Sequence, residues 1–204
     1  MVAMAPGFAI VALMWATMMV AMMSPSAAPT VLLYARAQRL AKPGARPPTA
    51  AFVAGYLICW LAFAVVAAAL QIALDRAAAL SDMTMALHGQ TASAVVTIAA
   101  GIYQLSPLKN ACLGRCRSPA QFLSRHYRPG AGGALRLGLL HGAYCVGCCW
   151  MLMALLFVGG VMNLLWIAGL TLLVAGEKLL PHGPTIARVT GVALIAWGVV
   201  RLVA

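Results

Sequence analysis

Six apolar runs, each near the roughly 20 residues that a helix needs to cross a bilayer, constrain this chain more than any other feature. They lie at about 8–36, 50–75, 84–108, 134–158, 160–179 and 184–203. A sequence that is 64% hydrophobic and only 8% charged has too little polar surface for a water-soluble domain. The expectation is therefore an all-α, polytopic membrane protein, with residues 1–204 forming one transmembrane domain and the bilayer as its first partner. The third run carries the most polar groups: His88, Gln90, Thr91 and Gln104. The fourth and fifth are separated only by "FVGGVMN", which predicts a tight turn and an antiparallel hairpin. "MVAMAPGFAI" has no basic stretch ahead of the apolar run, so the first span reads as retained.

The net charge of +11 does not indicate nucleic-acid binding, because the basic residues sit in the short connections. Loop 1–2 carries Arg36, Arg39, Lys42 and Arg46, and loop 3–4 carries Lys109, Arg115, Arg117, Arg125, Arg128 and Arg136. Loop 5–6 has Lys178, with Arg188 just inside the last span, while the opposite side has only Arg76, beside Asp75, and Arg201. By the positive-inside rule these three loops face the cytoplasm and both termini lie outside. "AKPGARPPTA" (41–50) is a Pro-rich connector. In "CRSPAQFL", Ser118 as cap and Pro119 at the first helical position predict a short amphipathic helix between the third and fourth spans. Its Phe122 and Leu123 would lie on the cytoplasmic membrane surface.

Within the fourth span stands "HGAYCVGCCWMLM" (141–153). At about 100° per residue, His141, Cys145, Cys148 and Cys149 fall within an arc of roughly 100° on one helical face. Cysteine is also a small apolar packing residue, so one alone would mean little. Three with a histidine, at membrane depth, point to a metal, and thiolate with imidazole suits Cu(I) or, second, Zn(II). Two further soft clusters accompany it. "ALMWATMMVAMMSPSAAP" places Met14, Met18 and Met22 on one face of the first span and Met19 and Met23 on another. Pro25 and Pro29 remove backbone donors there and predict a kinked or opened helix. "NACLGRCRSP" sets Cys112 and Cys116 among basic residues, where a soft metal or a disulfide would exchange. The expected metal ligands are His141, Cys145, Cys148, Cys149, Cys112, Cys116, Met18, Met22 and Met23. Glu177, beside Lys178, reads as an interfacial ion pair, and Cys59 as packing.

The strings "MMSPSAAP", "GYLICW", "AGIYQLSPLKNACLGRCRSP", "YCVGCCWMLMALLFVGGVMNLLWI" and "EKLLPHG" together resemble an uncharacterised bacterial family described as predicted metal-binding integral membrane proteins. The resemblance runs over nearly the whole chain and implies a membrane-embedded metal site. Its motifs match here at Met22, Met23, Cys112, Cys116, Cys145, Cys148 and Cys149.

Three functions compete. The first is copper handling: transport, storage or delivery of Cu(I) through Cys, His and Met, with a metal-donor or metal-acceptor protein as partner. The second is a thiol–disulfide oxidoreductase, relaying electrons between the thiol pairs. The third is a non-catalytic subunit of a larger membrane complex or an oligomer. No nucleotide-binding motif and no nucleophile–base pair names a reaction.

Overall fold

A computed structural model describes residues 7–41, 47–81, 83 and 85–203. Lys42, Arg46, Asp82 and the middle of the Pro-rich connector lie outside the described residues. The chain is all-helical: α1 (Phe8–Ala41), α2 (Thr49–Arg76), α3 (Gln90–Leu105), α4 (Pro107–Arg117), α5 (Pro119–His126), α6 (Gly130–Ala154), α7 (Leu156–Gly159), α8 (Leu164–Leu179) and α9 (Gly183–Val203). Among the described residues β-structure is limited to one bridge, Leu80 to Leu87.

Four helical stretches are long and apolar enough to cross a membrane: Phe8–Ala41, Thr49–Arg76, Gly130–Gly159 and Gly183–Val203. The third expected span is divided. Ser106 ends α3, its hydroxyl caps Lys109 N at 3.2 Å, and Pro107 starts α4 at an angle of 62°. Counted as one bent span, the pair makes a fifth. Residues 85–89, expected to be helical, form the bridge and a turn instead, with Gly89 at φ +91°. At 1.5 Å per residue, the 16-residue α3 and α8 are each only about 24 Å long, short of the roughly 30 Å hydrocarbon core.

Glycines set the tightest packing. A Cβ on Gly138 of α6 would sit 2.0 Å from the Phe52 carbonyl oxygen of α2, and one on Gly55 would sit 2.3 Å from that of Leu135. The two backbones therefore touch, as small residues allow between membrane helices. Gly101 of α3 and Gly191 of α9 do the same on the other side of the bundle. The helix α1 lies along α2, where Trp15 Nε1 donates to Gln71 Oε1 at 2.6 Å.

Three local expectations need correction. First, α1 stays helical through Pro25 and Pro29 rather than opening. Polar groups gather around that turn: Ser24 Oγ donates to Val20 O at 2.5 Å, Ser26 Oγ to Met23 O at 2.9 Å, and Tyr56 OH to Met23 O at 3.1 Å. Second, the turn at 160–163 does not produce a closely paired hairpin. The helix α4 lies against both α6 and α8 and holds them apart, so α8 packs mainly on α1 and α9. Third, α5 forms where expected, but Ser118 makes no side-chain cap bond, and Phe122 and Leu123 are buried against Tyr34, Phe52 and Leu137. Its apolar face is used inside the protein and is not left for lipid.

Candidate metal centre

The α2–α6 contact positions the histidine–cysteine face. Because Gly138 and Gly142 present no side chain to α2, the stripe His141, Cys145, Cys148 and Cys149 turns inward, and all four are buried. Cys145 sits at the middle. Its Sγ is 3.2 Å from Tyr56 OH of α2 and 2.9 Å from Lys178 Nζ of α8. Cys148 and Cys149 each donate a thiol to Cys145 O, at 3.1 and 2.9 Å. That bond is the usual way for a helical thiol to satisfy itself, and it keeps both sulfurs on the Cys145 side.

Other helices complete the cluster. Cys116, near the end of α4, brings its thiol beside those of Cys145 and Cys148. Met23 of α1 places Sδ 4.0 Å from Cys149 Sγ. Four thiols and a thioether from three helices thus meet around Cys145. A soft donor set of this kind fits a soft, low-coordinate ion better than a hard one. Among the described residues no three His, Cys, Asp or Glu side chains are already set out as a metal shell. The sulfurs instead satisfy one another and nearby backbone, and the cysteines are free thiols.

The remaining expected ligands stand apart. His141 lies in an aromatic box, its ring centroid 5.4 Å from Phe122, 5.7 Å from Tyr56 and 6.0 Å from Phe52. Its buried Nδ1 has no hydrogen-bond partner. Cys112 rests on Gly147, where a Cβ would come within 3.0 Å of its sulfur, and the same backbone carbonyl accepts from Tyr103 OH. Met18 and Met22 line a separate groove with Met14 and Met162. Cys59 donates to Leu139 O at 3.3 Å, in keeping with a packing role.

Lys178 was not among the expected site residues, and Glu177 does not pair with it. The carboxylate of Glu177 forms a buried ion pair with Lys109 at 2.6 Å, and Gln104 Nε2 donates to its other oxygen at 2.6 Å. Lys109 Nζ also donates to Gln104 Oε1. Arg117 closes the end of α8 by donating to Glu177 O and Pro181 O, at 2.9 and 2.7 Å. Helical geometry carried the signal: adjacent residues diverge by about 100°, so Glu177 and Lys178 necessarily address different neighbours. Lys178 reaches Ser26 Oγ at 3.4 Å as well as the Cys145 sulfur. A buried lysine with a thiol as its nearest partner places a positive charge directly against the sulfur cluster.

Neither the curated proteins nor the solved structures contain a match to this chain. A family model does match, over residues 12–201, and it spans every residue of the sulfur cluster. The chain belongs to that family, PpoB2, whose description is copper chaperone.

Proposed function

We propose that this protein is a multi-pass membrane protein that takes up Cu(I) at the sulfur cluster Cys116, Cys145, Cys148, Cys149 and Met23 and delivers it to an acceptor protein. The observation carrying this reading is the meeting of Cys116 on α4 with Cys145 and Cys148 on α6, beside the Lys178 ammonium. Cys116 closes the cluster at the α4 end, and Cys112 lies one helical turn before it. That pair is where an acceptor's thiolates would collect the ion by ligand exchange.

Charge favours a monovalent ion. Each ligating thiol gives up its proton. Two thiolates with one Cu(I) leave a net charge of −1, and Lys178 brings the buried group to zero. Zn(II) on the same donors would leave +1, which a low-dielectric surrounding penalises. Zinc is thus the second choice.

The membrane we propose is a bacterial inner membrane, and the outer faces of the long helices support insertion into a bilayer. Ile10, Leu13, Leu32, Val66, Val189 and Val200 are all exposed, which is costly in water and favourable in lipid. Arg36, Arg39, Arg115, Arg117, Arg125, Arg128, Arg136 and Arg188 flank one end of the bundle, so that end, with α4 and α5, is the cytoplasmic one. Both termini then lie outside. Six passes follow if the α3–α4 pair and α8 each traverse the slab.

The test is copper retention by detergent-purified protein against a Cu(I)-specific chelator, under reducing conditions. Wild type keeps stoichiometric copper, and the Cys145→Ser/Cys148→Ser variant loses it to the chelator. Equal retention by both removes the reading. Mixed disulfides trapped by single Cys→Ser variants, without bound copper, would favour thiol exchange instead.

A further inference from the structure

The methionines of the core and those along one face of α1 have different surroundings. Met19, Met23 and Met153 are fully buried and fill the core, as methionine does in any irregular interior. Met14, Met18 and Met22 differ: they repeat every fourth residue and so stack along one face of α1. Met22 of that face is buried, Met14 and Met18 are half-buried, and the face is only partly covered. It borders a cavity of about 430 Å³, across which Met162, 53% exposed, is supplied by the turn between α7 and α8. Four thioethers from two separate elements therefore line one open space.

The other lining groups leave those thioethers as the available donors. Among the described residues no charged side chain borders the cavity. Thr17 is also there, but its hydroxyl is engaged with Leu13 O and Met14 O, at 3.0 and 2.9 Å. The remaining walls are aliphatic, Ile167 among them. A neutral sulfur set without a carboxylate or imidazole offers nothing to a hard cation, and holds a soft monovalent one weakly.

We propose that Met14, Met18, Met22 and Met162 form a second, low-affinity Cu(I) site that feeds the thiol cluster. The inference rests on the copper-handling reading above. The groove spans about 12 Å of α1, from Met14 to Met22, and ends where the cluster begins. Met22 is followed directly by Met23, whose Sδ lies 4.0 Å from Cys149 Sγ. Because thioethers carry no proton to lose, entry at the groove releases none. Protons leave only when the ion passes to thiolates, so the transfer runs from neutral to anionic donors and has a direction built into its ligands.

The experiment follows [13C-methyl]methionine resonances of the full-length protein in detergent as Cu(I) is added anaerobically. The methyls of Met14, Met18, Met22 and Met162 should shift in fast exchange after the first equivalent is bound, while that of the buried Met153 stays in place. Zn(II) should move none of the four. In the Cys145→Ser/Cys148→Ser variant the same four shifts should persist, which separates this site from the thiol cluster. The Met18→Leu/Met162→Leu variant, close in volume, should weaken the shift-detected binding about tenfold and leave chelator-resistant copper unchanged. Methyls that stay unmoved through several equivalents, or shift with wild-type affinity in the leucine variant, would overturn the proposal.

Discussion

At the α2–α6 crossing a Cβ on Gly138 would sit 2.0 Å from the Phe52 carbonyl oxygen; at the α3–α9 crossing one on Gly101 would sit 2.7 Å from that of Gly191. The two contacts use the same device, a side-chain-free backbone, to bring helices to the closest approach. They differ in what surrounds them. The first places Cys145 under Tyr56 and is joined by Cys116 from α4 and Lys178 from α8. The second buries Ala94, Ala100, Thr97 and Ala187, with the Thr97 hydroxyl spent on Ser93 O at 2.7 Å. Close packing is thus common to both halves of the bundle, and the sulfur cluster forms where further helices deliver side chains into it.

Gln104 links the halves. It lies on α3, beside Gly191 of α9, yet its amide donates to Glu177, next to Lys178. Glu177→Gln should therefore have the largest effect. It leaves the Lys109 ammonium buried without its counter-ion, a loss of about 3–5 kcal/mol. The midpoint of thermal unfolding in detergent should fall accordingly, and copper retention should fall with it because α8, which carries Lys178, loses its tie to α3 and α4. The Lys109→Met/Glu177→Gln double variant should recover much of the stability, since no unpaired charge remains. A single variant that melts like wild type would show that the two halves hold together without this link.

The next effect concerns selectivity. A unit charge about 5 Å from the bound ion, at an effective dielectric near 20, opposes it by roughly 3 kcal/mol per charge on the metal. Lys178 should thus penalise Zn(II) over Cu(I) by about that amount. Lys178→Met should shift the ratio of the two affinities toward zinc by roughly a hundredfold, measured by competition with chelators of known affinity. An unchanged ratio would reduce Lys178 to a packing residue, and the site half of the bundle would resemble the other half more than its sequence suggests.

Much of this was legible from residues alone, for identifiable reasons. The helical period gave the inward stripe at Cys145, Cys148 and Cys149, because one face of one helix is a local property. The family model over residues 12–201, described as copper chaperone, agrees with copper as the metal. What escaped was relational. His141 shares the stripe, yet Phe52, Tyr56 and Phe122 from other elements surround its ring. Lys178 looked like an interfacial charge because it adjoins Glu177, whereas their 100° divergence sends one to Lys109 and the other to Cys145. Hydropathy makes the third run a single span, since it does not register the cap that Ser106 and Pro107 supply. Likewise the local pattern of α5 points to the membrane surface because Tyr34 and Leu137, which cover it, are far away in the chain.

The smallest expected effect tests the comparison most directly. Gly138→Ala and Gly101→Ala each drive a methyl group into backbone atoms of the facing helix, and overpacking of this kind costs about 1–3 kcal/mol. Their unfolding midpoints should therefore fall by similar amounts. Their copper affinities should not. In Gly138→Ala, α2 must retreat from α6, drawing Tyr56 OH from the Cys145 sulfur that it meets at 3.2 Å and widening the wall behind the cluster. Chelator-resistant copper should drop in that variant and stay at the wild-type level in Gly101→Ala, where the displaced helices carry none of the cluster sulfurs. If both variants lose copper in proportion to stability, the site depends on the whole bundle and the distinction between a chemical and a scaffolding crossing fails. If neither does, Cys116, Cys148, Cys149 and Met23 hold the ion without help from α2, and the Tyr56–Cys145 contact is incidental to binding.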